Sequence, residues 1–405
     1  MAKKKRRMKK TFKFIFLILV LVTFIFIGYK VTNKLLDTKE ETKPKHVEPA
    51  KPKVEDYKIS LVAVGDALIH NGVYMDADTY KKGADGYEAY DFKKMFTYIK
   101  DMIKNYDLKF YNQETVIGGK NLGLSNYPCF NSPDEIGLDL IDTGFNMVNL
   151  TTNHTKDKGI AGVKYSSEFW KKQREKGVYS VGSYVSEEDR TEARFAEKNG
   201  IKYALLGYST VTNGFTISDA DSHYWVLWDK EKAKADIERI KDKVDVIIVS
   251  MHWGVEYTHV PTEEEREIAK YLSSLGVNII IGHHPHVIQP IEFVGDTLVF
   301  YSLGNFISAQ DGTMKRVGMI GAVDIHKHVE DGKTTVTLEN VKGDLIWTYY
   351  QYYKNFKVIP FNKLTNQQLY NHESIYNQYK TIINKTNDSR IQIGNIGEEN
   401  DGNQQ

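Results

Sequence analysis

From Lys58 onward the chain alternates short apolar runs with longer amphipathic segments. The runs at 58–66, 107–114, 145–154, 202–209, 244–254, 277–286 and 297–306 are rich in Val, Ile, Leu and Phe and predict strands. Between most of them, segments 91–105, 133–143, 161–176, 229–243 and 263–275 predict helices. Ser132 reads as an N-cap followed by Pro133 in the first turn, and Thr262 as the cap ahead of Glu263, Glu264 and Glu265. Strands alternating with helices imply βαβ units and a largely parallel sheet buried on both faces, an α/β architecture. The runs "VGMIGAVDIH" and "KTTVTLENVK" then predict a β-hairpin or edge pair, which shades the class toward α+β.

The pattern before Lys58 is different. An apolar run from Phe14 to Tyr29 follows eight basic residues in the first thirteen. With its flanks it reaches the roughly 20 residues that cross a bilayer. Lys and Arg on its N-terminal side predict a cytoplasmic N-terminus and an extracytoplasmic remainder. A cleaved signal peptide is the rival reading, but no Ala-x-Ala site follows. The expected order is therefore a basic cytoplasmic tail at 1–11, a plasma-membrane anchor at 12–31 and a charged, Pro-rich linker at 37–57. A main domain at 58–345 and an aromatic segment with a C-terminal helix at 346–385 come next, then a disordered Asn/Gln/Gly-rich tail at 386–405. The segment "IWTYYQYYKNFKVIPF" reads as covering a sheet edge or a closing helix rather than as a carbohydrate platform.

Charge and cysteine narrow the class. The formal net charge of +1 hides a split, because residues 1–30 hold nine Lys/Arg and no acid. The rest carries 45 basic against 53 acidic residues, a net of −8, which argues against a nucleic-acid partner. Cys129 is the single cysteine, so no intramolecular disulfide or thiolate metal cage can form. It is expected to be an inert buried thiol.

The chemistry sits at the ends of the predicted strands. Asp66, then Asn112 and Glu114, then Asn153 and His154, then His252, then His284 and His286 close five different runs. Ligands of open α/β sheets bind beyond the carboxyl ends of the strands, so five strands deliver side chains to one place. Taken alone, "SMHWG" reads as a core histidine. "GHHPH" is harder to explain that way. His284 and His286 are two residues apart, so in an extended segment both face one side, and neutral imidazoles aimed together suit a cation. An Asp/Glu/Asn/His set without thiolate favours Mn, Fe or Zn over Ca or Mg. The ligand count exceeds one tetrahedral site and points to two metals sharing a carboxylate, with His284 and His286 on different ions and His283 turned away into contacts behind the ligands or in the core.

Gly65-Asp66, Asn112-x-Glu114, Asn153-His154, His252-Trp253-Gly254 followed by Glu256-Tyr257, the run from Gly282 to Pro290, and Ser302 to Phe306 together resemble the CapA family over about residues 58–310. These are poly-γ-glutamate capsule biosynthesis proteins within the calcineurin-like metallophosphoesterases. The resemblance implies a four-layer fold, a β-sandwich flanked by helices, with a di-metal centre on the loops after the strands. It implies that Asp66 and His286 hold one metal, that Asn153, His252 and His284 hold the other, and that Glu114 replaces the usual bridging Asp. His154 matches the histidine that protonates the leaving group. The first motif departs from the superfamily, reading Asp66-Ala67-Leu68 where Asp-x-His is expected. His70 would substitute only if the loop turned back. Asn112, Asn305, Lys156 and Tyr257 are the candidate substrate contacts.

Two functions follow as expectations. One is a membrane-anchored extracytoplasmic di-metal hydrolase of capsule biosynthesis, cutting a phosphoester or γ-glutamyl-type bond. The other is a non-catalytic polymer-binding or export subunit of a membrane-bound capsule synthase. The expected partners are the membrane, an anionic envelope polymer (poly-γ-glutamate or another) and other synthase subunits.

Overall fold

The computed structural model describes residues 2–36 and 54–397, in two units divided between Pro52 and Lys53. The first unit holds one helix, Ala2–Leu36. Its segment Lys10–Leu35 is 26 residues long and apolar enough to cross a membrane, and the expected span at 12–31 lies inside it. The helix also takes in the residues expected as a separate basic tail.

In the second unit the alternation of side chains explains the layers. In the strand Val54–Leu68, Leu61 and Ala63 face one way and join Leu205, Ile248, Ile281 and Phe300 in a core between two sheets. Val62 and Val64 face the other way and pack with Phe96, Ile99, Ile136 and Trp170 from helices. The second sheet does the same, since Val249, Met251 and Ile280 meet Ile237, Ile268 and Leu272 of two more helices. The order is helix, sheet, sheet, helix. Both sheets are buried on both faces, which is why their strands read as unbroken apolar runs.

The first sheet has nine strands. Val54–Leu68 lies between the antiparallel Val317–Glu330 and the parallel Leu108–Gln113, and Met147–Asn149 and Tyr179–Val181 continue the parallel side. The second has six strands, with Ile201–Ser209, Val246–His252, Ile279–His283 and Thr297–Phe300 parallel in that order. Val54–Leu68, Leu108–Gln113, Val246–His252 and Ile279–His283 bring Asp66, Glu114, His252 and His284 together at their carboxyl ends.

All five expected helices form: Thr97–Ile103 after a short 3₁₀ turn, Asp134–Thr143, Gly159–Arg174, Lys230–Ile240 and Glu263–Ser274. Thr262 caps the last in a reciprocal capping box with Glu265. Ser132 is not a cap. Its hydroxyl is 2.6 Å from that of Thr115, and the helix starts one residue later with Pro133 at the cap position.

Several boundaries differ from those expected. Residues 37–53 of the linker lie outside the described residues, but Val54–Tyr57 already belong to the first strand, where Asp56 registers with His328. The predicted hairpin, Val317–Glu330 with Lys333–Gln351, is not an edge pair, because Lys354–Pro360 lies beyond it. The boundary at 345/346 cuts the strand Lys333–Gln351. Trp347 and Tyr350 of the aromatic segment are buried in it, because a sheet this long needs apolar cover on both faces. The expected tail is ordered in part. Ile391–Ile393 pairs in parallel with Lys333–Gln351, and Ile391 and Ile396 are buried, while 398–405 lie outside the described residues. Cys129 is exposed, not buried. The single run at 297–306 splits into Thr297–Phe300 of the second sheet and Asn305–Ser308 of the first, so the chain changes sheets beside the site.

Candidate metal centre

Asp66 is placed by a crossing of backbones. Its N–H donates to Gly304 O at 2.9 Å, and a Cβ on Gly65 would lie 1.8 Å from that same oxygen, so only glycine permits the approach. The Asp66 carboxylate is fully buried. Asn112 Nδ2 donates to Asp66 Oδ1 at 2.9 Å, and Asn149 Nδ2 donates to Asn112 Oδ1 at 2.8 Å. Both ends of the Asn112 amide are thus used, Nδ2 on Asp66 and Oδ1 on Asn149. The expected substrate contact at Asn112 is corrected to a positioning role, because the residue has no exposed surface.

Glu114 follows the end of Leu108–Gln113, and His252 ends Val246–His252. His252 Nε2 is 2.9 Å from Asn153 Oδ1 and 3.9 Å from Glu114 Oε1. The strand Ile279–His283 stops at His283, and His284 and His286 follow with φ of 98° and 57°. The expected extended segment is therefore a tight turn, and the two imidazoles converge through left-handed backbone instead of through a period of two. His286 Nδ1 is 3.1 Å from Asp66 Oδ2, while its Nε2 is 3.5 Å from Glu114 Oε1 and 3.9 Å from Glu256 Oε1.

Three sets of metal-ligand type result, each with one donor atom per residue inside 4.8 Å: Asp66, Glu114 and His286; Glu114, His252 and His284; Glu256, His284 and His286. Glu114 belongs to the first two. Its two oxygens are buried and neither has a hydrogen-bond partner among the described residues. Burial, then the charges of Asp66 and Glu256, push its carboxyl well above the usual range. A buried carboxyl without a donor is costly, and a cation held there would supply what is missing. Burial also pushes Asp66 up, but the hydrogen bond and charge of His286 hold it below its ordinary value. His252 is driven well down by burial and by His284, and His284 falls to about 3 by burial and by His286. Neutral imidazole is the form that binds a cation. The residues fit a borderline divalent metal.

His154 lies beside this cluster. It is buried, and its Nδ1 is 2.7 Å from Asp157 Oδ2, which also accepts from Phe130 N at 2.7 Å. Phe130 meets the imidazole edge-on at 4.7 Å. His70 is not in any of the three sets. It occupies the N-cap position of the helix Asn71–Asp76, with Nδ1 3.1 Å from Leu68 O. The loop does not return it as a replacement ligand. His283 is fully buried against Phe110, with Nδ1 3.6 Å from Asp66 Oδ1.

The remaining expected contacts are mixed. Asn305, in register with Asp66, donates to Gln310 Oε1 at 2.9 Å and to Lys315 O at 2.8 Å. Tyr257 is partly exposed, with its ring 6.1 Å from that of His286. The Lys156 ammonium bonds to Thr216 O. Three residues of the site escaped the sequence reading as site residues, Glu256, Asn149 and Asp157, whereas His283 lies behind the ligands and in the core as expected. Two left a signal, a His154-x-x-Asp157 spacing and a lone Asn149 inside an apolar run.

Comparison with known proteins bears on the same residues. Residues 60–310 match the family described as bacterial capsule synthesis protein PGA_cap. The PGA biosynthesis protein CapA of Bacillus subtilis is 30% identical over 271 residues, covering 65% of this chain and 68% of that one. The capsule biosynthesis protein CapA of Bacillus anthracis is 26% identical over 296 residues, 70% of this chain and 66% of that one. A shorter match, 29% over 68 residues and 17% of this chain, is to 18% of a probable polyglutamine synthesis accessory protein of Mycobacterium tuberculosis. With the family matched over more than half its length, and with the matched region spanning Asp66 to Asn305, the chain belongs to the CapA family of bacterial capsule synthesis proteins.

Proposed function

We propose that this protein is a membrane-anchored, extracytoplasmic di-metal hydrolase of capsule biosynthesis, acting on a phosphoester or γ-glutamyl-type bond. The observation that carries the reading is Glu114, a buried carboxyl without a hydrogen-bond donor that belongs both to the Asp66/His286 set and to the His252/His284 set. Asp66, Glu114 and His286 would hold one ion, and Glu114, Asn153, His252 and His284 the other, with Mn, Fe or Zn matching the donors. When bound, such ions lower the pKa of a shared water and supply a hydroxide nucleophile at neutral pH.

The chain's own residues do the rest. The Asn149–Asn112–Asp66 chain fixes one carboxylate. Asp157 holds the His154 Nδ1 side, which leaves Nε2 to deliver a proton to the departing group. The helix Lys10–Leu35 would anchor the chain, with the basic residues before it on the cytoplasmic side of the plasma membrane. An anionic envelope polymer is the substrate class, and other capsule synthase subunits are the natural partners.

A second reading has its own observation. His70 sits at a helix cap and does not fill the place of the first-motif imidazole, which supports a non-catalytic, polymer-binding subunit. The test uses the full-length chain in detergent, loaded with Mn²⁺ or Zn²⁺, and offers an oligo-γ-glutamate and an aryl phosphodiester separately. Turnover of one of them, lost on chelation and restored by metal, is the expected result. Tight polymer binding without turnover of either would establish the second reading instead.

A further inference from the structure

Two of the residues expected to meet substrate, Asn305 and Tyr257, bond to the protein through the Asn305 amide nitrogen and the Tyr257 hydroxyl, while Asn305 Oδ1 is buried without a partner among the described residues. Asn305 Nδ2 donates to Gln310 Oε1 at 2.9 Å and to the backbone oxygen of Lys315 at 2.8 Å. Gln310 Nε2 in turn donates to the Tyr257 hydroxyl at 3.2 Å. Tyr257 is itself pinned, with φ of 64° and its N–H donating to Pro285 O at 2.7 Å, between the two converging histidines. What this frame carries is a cation. The Lys315 ammonium lies 5.1 Å from the centroid of the Tyr257 ring, and that ring is 6.1 Å from the His286 ring.

Lys315 differs from the cations around it. Arg316, the next residue, is sandwiched between Trp347 and Tyr350 and donates to Thr348 O at 2.9 Å, so it serves the sheet. The Lys156 ammonium is bonded to Thr216 O. Lys315 makes no ion pair within 4.0 Å with a carboxylate among the described residues. The carboxylate that feels its charge is Asp311, held below the ordinary value by the hydrogen bonds from Tyr353 and Tyr350 and, after them, with help from this field. A chain with a net charge of −8 beyond residue 30 repels a polyanion at long range, so capture needs a local positive group at the centre.

We propose that Lys315 is the specificity residue that receives an anionic oxygen group of the substrate beside the scissile bond, and that this group is the α-carboxylate of a γ-linked glutamyl chain; the inference rests on the hydrolase or polymer-binding reading above. A lysine is a compact point charge, suited to a single carboxylate rather than to forked recognition. A γ-glutamyl polymer presents one α-carboxylate per residue, next to each backbone amide. A phosphodiester carries its charge on the scissile phosphorus itself, where the metal ligands already converge. Lys315 is linked to His286 only through the Tyr257 ring and belongs to none of the three ligand sets, so a charge there reads the first better than the second.

The test measures binding of three fluorescent probes to the metal-loaded full-length chain: an oligo-γ-glutamate, the same oligomer with α-carboxamides, and a glycerol-phosphate oligomer. Lys315→Gln is expected to weaken the acid oligomer by about tenfold, a change of the size of one charge-assisted contact. Its metal content and its affinity for the carboxamide oligomer stay at wild-type values, and Lys315→Arg keeps most of the affinity. Unchanged affinity of Lys315→Gln for the acid oligomer overturns the inference and leaves the functional reading standing. An equal loss on acid and carboxamide probes overturns it too, because the residue is then structural. A loss confined to the glycerol-phosphate oligomer overturns the carboxylate assignment. If the wild-type chain binds no γ-glutamyl probe at all, this inference and the γ-glutamyl reading fail together.

Discussion

Replacing His154 with alanine is expected to lower turnover by about 10²–10⁴-fold while leaving the metal content unchanged, the range typical of a lost general acid. The expectation follows from where its ring is committed. Nδ1 faces Asp157 Oδ2 at 2.7 Å, and His154 is in none of the three ligand sets. Asp157→Asn should fall between the two, because the imidazole stays while its orientation and charge support are weakened. A substrate with an acidic leaving group needs less protonation, so it should lose much less in the His154→Ala variant than one with a basic leaving group. Full activity, or loss of metal along with activity, would remove His154 from the proposed role.

Replacing His284 should cost the chain the metal position that it shares with Glu114 and His252. It supplies one of the two imidazoles of that set. Loss of an outer partner costs a metal site about 10–100-fold, and loss of this ligand should exceed that. Its φ of 98° adds a second expectation. A non-glycine residue held there stores strain of about 1–3 kcal/mol, which glycine does not feel. His284→Gly should therefore match or exceed the metal-free wild type in thermal stability and still fail to hold metal. His284→Ala should fail to hold metal without the gain. A glycine variant that retains full metal content would show that His284 is scaffold.

What the sequence made legible follows from which forces act locally. The strands could be read because both sheets are covered on both faces, so each run is apolar throughout. The helix at Glu263–Ser274 could be read because its capping box lies within four consecutive residues. The gathering of Asp66, Glu114, Asn153, His252, His284 and His286 followed from one rule about where parallel strands end. The misses share a different cause, since each depends on a contact distant in sequence. Position 282 must be glycine because a Cβ there would come within 1.9 Å of the Tyr301 backbone oxygen, and the turn that follows is left-handed at His284 and His286, residue types that do not announce it. The run at 297–306 breaks because Gly304 must cross Gly65. Asn112 looked available to substrate because nothing in its own segment reveals that Asn149 and Asp66 occupy both ends of its amide. The strand Ile391–Ile393 was hidden in a polar tail, where two or three isoleucines are too few to show a period.

The central claim is that Glu114 is buried without a donor because metal completes it. Elemental analysis of the full-length chain, purified in detergent from medium supplemented with Mn, Fe and Zn, tests this most directly, beside its Glu114→Gln variant. The account predicts about two equivalents of transition metal in the wild type, the stoichiometry of a shared-carboxylate centre, and a loss from both positions in the variant. A wild-type chain that folds, binds its polymer and carries no metal would contradict it, and the histidine cluster would then be scaffold.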